Sequence, residues 1–159
     1  MHIVTGGAGF IGSNIVNALL KINKEIIVCD KIDHKLKKNN ISKIKKNYII
    51  NPNKLNKFII ENYKEIDSVI HMGAISSTTE KNIKLLLQNN YQYSIDLLNN
   101  CDNYSIKFLY ASSAATYGNG ENGFSDDNDL RKMIKLTPIN YYGLSKHLFD
   151  LYLLSRINS

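Results

Sequence analysis

Long apolar runs are missing from this 159-residue chain. None approaches the roughly 18 residues of a membrane-spanning helix, and the N-terminus lacks the charged-then-apolar order of a secretory signal. No membrane partner is expected, and a cytoplasmic protein is. Cysteine is scarce: Cys29 falls in a strand and Cys101 near a helix end, which fits reduced, mostly buried thiols better than a disulfide. No Cys/His cluster has ligand spacing, so no metal site is expected. Acid is in deficit, with 14 Asp and Glu against 20 Lys and Arg and a net charge of +6. Such a balance invites a nucleic-acid reading. The lysines, however, concentrate between Lys31 and Lys46 among asparagine and isoleucine. Neither a glycine-flanked aromatic motif nor a recognition-helix pattern lies beside them, so no nucleic-acid partner is expected. Repeats and linkers are absent too. The length is one domain's worth, and 43% hydrophobic residues suffice for a core.

What is present begins at the N-terminus, in HIVTGGAGFIG. A short apolar strand runs into Gly6, Gly9 and Gly12, and an amphipathic helix follows at once. Glycine is wanted there for a tight turn, for backbone approach to a pyrophosphate, and for close packing of helix on strand. The amides at the helix N-terminus then face phosphates. The helix over 10–22 places Ile11, Ile15, Ala18, Leu19 and Ile22 at helical spacing, which predicts packing on a sheet. A second apolar strand, 25–29, ends at Asp30, where a carboxylate can accept from an adenosine ribose hydroxyl. Lys31, Lys35, Lys37 and Lys38 follow, and cations there suit a 2′-phosphate. The acid argues for NAD and the lysines for NADP, and the local residues leave both open.

A short strand over 48–50, a helix over 55–63 and a strand over 67–72 come next, then the small residues GAISSTTE, which leave room for a ligand. His71, at that edge, reads as a packing or hydrogen-bonding residue. A helix over 82–100 leads to strand 107–111, which ends in SSAATYG. The polar stretch 119–137, with an acidic run over 125–129, reads as a surface loop. Pro138 is expected to open the last helix. The alternation predicts a doubly wound parallel α/β sheet with right-handed crossovers.

Tyr142 and Lys146 lie four apart on that helix, hence on one face. An ammonium near a phenol favours the phenolate, an acid/base pair usable near neutral pH. Ser113, at the end of strand five, is placed to donate to the same substrate oxygen. With a nicotinamide at the switch point of the sheet, these groups meet the needs of hydride removal from a carbinol. Tyr141 lacks a lysine four residues on. His147 and Asp150 read as ordinary helix surface.

Together TGGAGFIGSNIV, VIHMGAISSTTE, NNYQYS, FLYASSAATYG and YGLSK resemble the extended short-chain dehydrogenase/reductase family, the nucleotide-sugar epimerases and dehydratases. SSTTE and NNYQYS set the chain apart from the UDP-hexose branch and toward the branch acting on ADP-heptose. The resemblance implies a Rossmann-type sheet and a step in lipopolysaccharide core biosynthesis. It also implies NADP rather than NAD, an ADP-heptose substrate and a homo-oligomer. Carried over by position, Phe10 and Ile11 sit at the pyrophosphate turn, Asp30 and Lys31 at the adenosine ribose, and Lys38 at the 2′-phosphate. Met72, Gly73, Ala74, Ile75, Ser76, Asn89 and Lys146 line the cofactor, while Ser113, Tyr142 and Lys146 carry catalysis. Family members run to about twice this length. The expectation is therefore an incomplete dinucleotide-binding domain over 1–159, ending after the fifth strand and the Tyr/Lys helix. It would lack a second base and be inactive alone. Strand five would keep an unpaired edge. The alternatives are another nucleotide-sugar epimerase or dehydratase, or a non-catalytic dinucleotide-binding module.

Overall fold

Valine and isoleucine fill most of the strand Ile26–Cys29 and the middles of the strands His2–Thr5 and Ser68–His71 without the polar alternation of a half-exposed sheet, and the fold shows why. The computed structural model describes residues 1–126 and 128–157, and only the backbone of Asn47. In chain order the elements are β1 (His2–Thr5), α1 (Phe10–Lys21), β2 (Ile26–Cys29), α2 (Lys35–Asn40), β3 (Ile49–Ile50), α3 (Pro52–Asn62) and β4 (Ser68–His71). Then come α4 (Ile83–Leu86), a π-helical turn (Leu87–Gln92), α5 (Tyr93–Asn103), β5 (Lys107–Tyr110), a 3-10 turn (Ala114–Tyr117), α6 (Leu130–Met133) and α7 (Tyr141–Ile157). Two compact units result. The first is Met1–Gly73 with Asp96–Ala111, the second Ala74–Ile95 with Ser112–Ser159.

The first unit holds the whole sheet, five parallel strands in the order β3-β2-β1-β4-β5. β1 is central, pairing Thr5 with Cys29 on one side and His71 on the other. Right-handed crossovers put α1 on one face and α3 and α5 on the opposite one, so strands between them are buried on both sides. Asn100 Nδ2 donates to Asn56 Oδ1 at 3.0 Å, and the Tyr63 and Tyr104 rings stack at 4.5 Å, tying α5 to α3. On the α1 face, Val4, Ala8, Val16, Ile26, Val28 and Ile41 form a core cluster. β5, at the sheet edge, exposes Lys107 and Leu109. Cys29 and Cys101 are buried and not joined in a disulfide, and burial with the nearby Asp102 pushes the Cys101 thiol up to about 12.

Two expectations change here. Ile11 and Ile22 do not pack on the sheet; they are 60% and 62% exposed. The buried residues of α1 are Gly12, Ser13 and Val16, and Ile15 and Leu19 pack against the core cluster beside them. The lysine-rich stretch also contains a short helix, α2, tied to the glycine turn by Asn40 Nδ2 donating to Ala8 O at 2.9 Å.

In the second unit, the expected helix over 82–100 starts with α4 and passes through the π-helical turn. Pro138 does not open α7. The helix begins at Tyr141, with Asn140 Oδ1 accepting from Gly143 N at 2.7 Å, because an asparagine cap satisfies an amide that proline cannot. The 119–137 stretch contains α6, capped by Asp129 accepting from Arg131 N at 2.9 Å. Asp127 of the acidic run, and Asn158 and Ser159 at the end of the expected domain, lie outside the described residues. Among the described residues no helix is long and apolar enough to cross a membrane.

Candidate functional site

The glycine turn of the first unit is built by backbone crowding. Gly6 has φ +64, and a Cβ on Gly12 would stand 2.2 Å from the Gly6 carbonyl oxygen. Only hydrogen fits there, so the first turn of α1 closes tightly behind β1. Gly9 precedes the helix without a side chain to cap it, and the first turn carries no acid. Phe10 and Ile11 turn outward, Phe10 being 83% exposed. An uncapped helix N-terminus free of negative charge suits a pyrophosphate.

Asp30 closes the turn from the other side. Its carboxylate accepts from the Ala8 amide at 3.0 Å and from Lys37 Nζ at 3.0 Å. Lys37 also donates to the Lys31 carbonyl at 2.9 Å and lies 3.4 Å from Asp33. Burial disfavours its charge, but the Asp30 and Asp33 carboxylates outweigh that and hold its pKa above the ordinary lysine value. Lys37 is the lysine that the fold turns toward Asp30, while Lys31 and Lys38, expected at the adenosine ribose and the 2′-phosphate, are exposed. β4 ends beside this turn. His71 shares a 2.6 Å hydrogen bond with Thr5 Oγ1, which also accepts from Gly73 N at 3.0 Å. His71 therefore has the hydrogen-bonding role read from its position. Met72 packs against the core cluster.

In the second unit, the loop after β4 is clamped by Asn90. This fully buried amide accepts from Ile75 N at 2.8 Å and donates to Ile75 O at 3.0 Å and to Ser145 Oγ at 3.0 Å. Ser145 Oγ donates in turn to the Tyr142 carbonyl at 2.7 Å. Ala74 and Ser76, on either side of Ile75, are exposed. Asn89, the residue expected at the cofactor, spends its Nδ2 on the Leu85 carbonyl at 2.8 Å. Asn90 sits in the π-helical turn, whose wider winding shifts the register of side chains along the helix. The asparagine pair was visible in NNYQYS; which member turns inward was not.

Ser113, Tyr142 and Lys146 all belong to this second unit. Ser113 Oγ caps the 3-10 turn, accepting from Ala115 N at 3.2 Å, while Thr116 Oγ1 donates to the Ser113 carbonyl at 2.7 Å. A Cβ on Gly143 would meet the Ala115 carbonyl oxygen at 2.5 Å. The glycine after Tyr142 thus lets α7 lie directly on the turn that Ser113 begins. Tyr142 is half-buried and Lys146 is 3% exposed. Burial pulls the Lys146 ammonium down to about 8, opposed by the Asp150 carboxylate one turn later.

His147 and Asp150 are not ordinary helix surface; both are buried. Asp150 accepts from Ser112 Oγ at 2.5 Å. Burial pushes its pKa up to about 6, against the Ser112 hydroxyl and the Lys146 charge, which both favour the carboxylate. Burial alone lowers His147. An acid at helical spacing from Lys146 was the available signal for Asp150. Its burial could not be read from α7 alone, because it depends on the segment carrying Ser112. That segment and α7 line a groove of about 630 Å³ that includes Ser112, Ser113, Tyr117, Asp150 and Leu154.

The family model described as the NAD-dependent epimerase/dehydratase family matches residues 2–159. The chain belongs to that family. Among curated relatives, the ADP-L-glycero-D-manno-heptose-6-epimerase of Fusobacterium nucleatum is 45% identical over 153 residues, 94% of this chain and 46% of the relative. The enzyme of the same name from Brachyspira hyodysenteriae is 42% identical over 159 residues, 96% of this chain and 48% of the relative. Of solved structures, the Helicobacter pylori ADP-L-glycero-D-manno-heptose-6-epimerase superposes with TM-score 0.77 at 28% identity, covering 98% of this chain and 50% of that one. The Thermus thermophilus UDP-glucose 4-epimerase, solved with NAD, gives 0.75 at 27%, covering 99% and 51%. This epimerase-family chain spans about half the length of the curated relatives it matches.

Proposed function

We propose that the chain is the dinucleotide-binding half of an ADP-L-glycero-D-manno-heptose 6-epimerase, acting in the cytoplasm and inactive by itself. The observation that carries this reading is the close seating of the Tyr142–Lys146 helix on the turn that Ser113 caps. The heptose epimerases at 42–45% identity support the substrate class. The shared half of their length supports the view that a second base and most substrate contacts lie outside these residues.

A bound nicotinamide dinucleotide supplies a hydride acceptor and later donor. Gly6, Gly9, Gly12 and the first turn of α1, with Phe10 and Ile11, hold the pyrophosphate, and Asp30 and Lys31 the adenosine ribose. Met72 to Ser76 and Asn89 border the nicotinamide side. The Tyr142 phenolate takes the proton from the carbinol hydroxyl, Ser113 donates to that oxygen, and the Lys146 ammonium supports the phenolate. Return of the proton at the same oxygen reverses the step. Protonation on both faces needs more than one base, and Tyr142 supplies one.

The family carries NAD, and the Thermus relative was solved with it. NADP is the finer reading for this chain. Lys37 neutralises the Asp30 carboxylate that would otherwise repel a 2′-phosphate, and Lys31 and Lys38 stand exposed beside it. Calorimetric titration with NADP⁺ and then NAD⁺, followed by product analysis on ADP-heptose and UDP-hexoses, tests all of this. NADP⁺ binding without epimerisation is the expected result. Absence of binding to either dinucleotide, or full turnover by the chain alone, contradicts it.

A further inference from the structure

The two serines that end β5 have separate tasks. Ser113 caps the 3-10 turn, whereas Ser112 Oγ reaches the other way and donates to Asp150 Oδ2 at 2.5 Å. Asp150 lies on the same face of α7 as Lys146, one turn on, and is 9% exposed. Its bond to Ser112 runs from the segment carrying Ser113 to the helix carrying Tyr142 and Lys146. A buried carboxylate is costly, and here its position matches the other buried charge of α7.

We propose that Asp150, held by Ser112, is a positioning residue that keeps the Lys146 ammonium charged and fixes the Tyr142–Lys146 helix against the Ser113 segment. Within α7 the neighbouring titratable groups are Tyr142 and His147. The elements packed on α7 bring Tyr117, hydrogen-bonded to Asp126, from the 3-10 turn, Tyr91 from the π-helical turn, Lys84 from α4, and Arg131 and Lys132 from α6. Burial disfavours charge on Lys146, and the electrostatic partner acting against that is Asp150. The inference deepens the proposed function and rests on it for the task of Lys146.

Carbon-13 NMR of the full chain carrying lysine labelled at Cε, titrated across pH, reports the Lys146 midpoint without cofactor or substrate. Lys57, an exposed lysine, is the internal reference. Asp150→Asn is expected to lower the Lys146 midpoint by about half a pH unit or more, roughly a threefold rise in the ratio of neutral to charged amine at a given pH. Asp150→Glu should restore the midpoint, and Ser112→Ala should give a smaller shift in the same direction. A merely structural Asp150 would leave the midpoint unmoved in variants that fold, and that result overturns the proposal. If Asp150→Asn does not fold, Ser112→Ala, at an exposed residue, decides alone. A shifted midpoint in a chain that binds no dinucleotide would sink the proposed function and leave this inference standing.

Discussion

The two units bury different chemistry. In the first, Ile3, Val4, Val28, Leu55, Ile59, Val69 and Leu97 are fully buried, and the buried polar side chains are Thr5, Ser13, Ser68 and His71. The second buries few large apolar side chains, among them Leu86, Leu136, Phe149 and Leu154, yet encloses Asn90, Ser94, Thr116, Ser145, Lys146, His147 and Asp150. The sheet unit is held by area removed from water, a non-directional force that tolerates exchange of one aliphatic group for another. The helical unit depends on directional bonds, each needing its partner in place. The chemistry assigned to Ser113, Tyr142 and Lys146 sits in the second, where dipoles and charges are fixed in advance.

The sharpest way to break this comparison is to remove a large, fully buried side chain from each unit. Leu55→Ala in the sheet unit should cost about 2–5 kcal/mol, and Phe149→Ala in the helical unit about 3–5 kcal/mol, by urea unfolding. A loss below about 1 kcal/mol for Phe149→Ala would mean that apolar packing contributes little to the helical unit.

The next effect is one of pH. The folded pKa of Asp150 is raised from 3.8 to about 6, so the native state prefers its protonated form. The stability it contributes is present below its ordinary value and is lost as pH rises through about 6. The swing is roughly 3 kcal/mol. Asp150→Asn should flatten stability over that window relative to the parent chain, measured by unfolding at a series of pH values; parallel curves would contradict the raised value.

Asn90→Ala should cost about 2 kcal/mol, because Ile75 N–H and C=O and the Ser145 hydroxyl each lose a partner. Hydrogen exchange at the Ile75 amide should rise with it, while amides of β1 stay protected. Equal loss of protection in β1 would erase the distinction between the units.

The smallest effect is at helix starts. Asn51 accepts from Asn53 N at 3.0 Å at the head of α3, and Asn140 does the same for α7. Replacing either by alanine should cost about 1 kcal/mol in chemical denaturation. Unequal losses would show that one helix is held more by packing than by its cap.

Much of the first unit was legible because its signals are local. A strand buried on both faces reads as a continuous apolar run, and a glycine turn must carry glycine wherever backbones touch, as Gly12 and Gly6 do. α2 went unseen because lysine and asparagine carry no apolar stripe; its attachment is one bond from Asn40 to the Ala8 carbonyl. The start of α7 was misplaced because the Asn140 cap outranks Pro138 as a start signal. In the second unit, YGLSK disclosed Tyr142 and Lys146 through their spacing. It did not disclose that Gly143 is needed for contact with Ala115, since that contact joins distant parts of the chain.

The amino-acid order by itself determined the parallel α/β sheet, the glycine turn after β1, and the placing of Tyr142 and Lys146 on one helical face. Each depends on periodicity or on sterics within a few residues. Tertiary structure alone decided that Lys37 rather than Lys38 meets Asp30, that Asn90 rather than Asn89 turns inward, and that Ser112 holds a buried Asp150. Those choices turn on which side chain faces a partner many residues away, and neighbours of like chemistry in the sequence do not differ until the chain is folded.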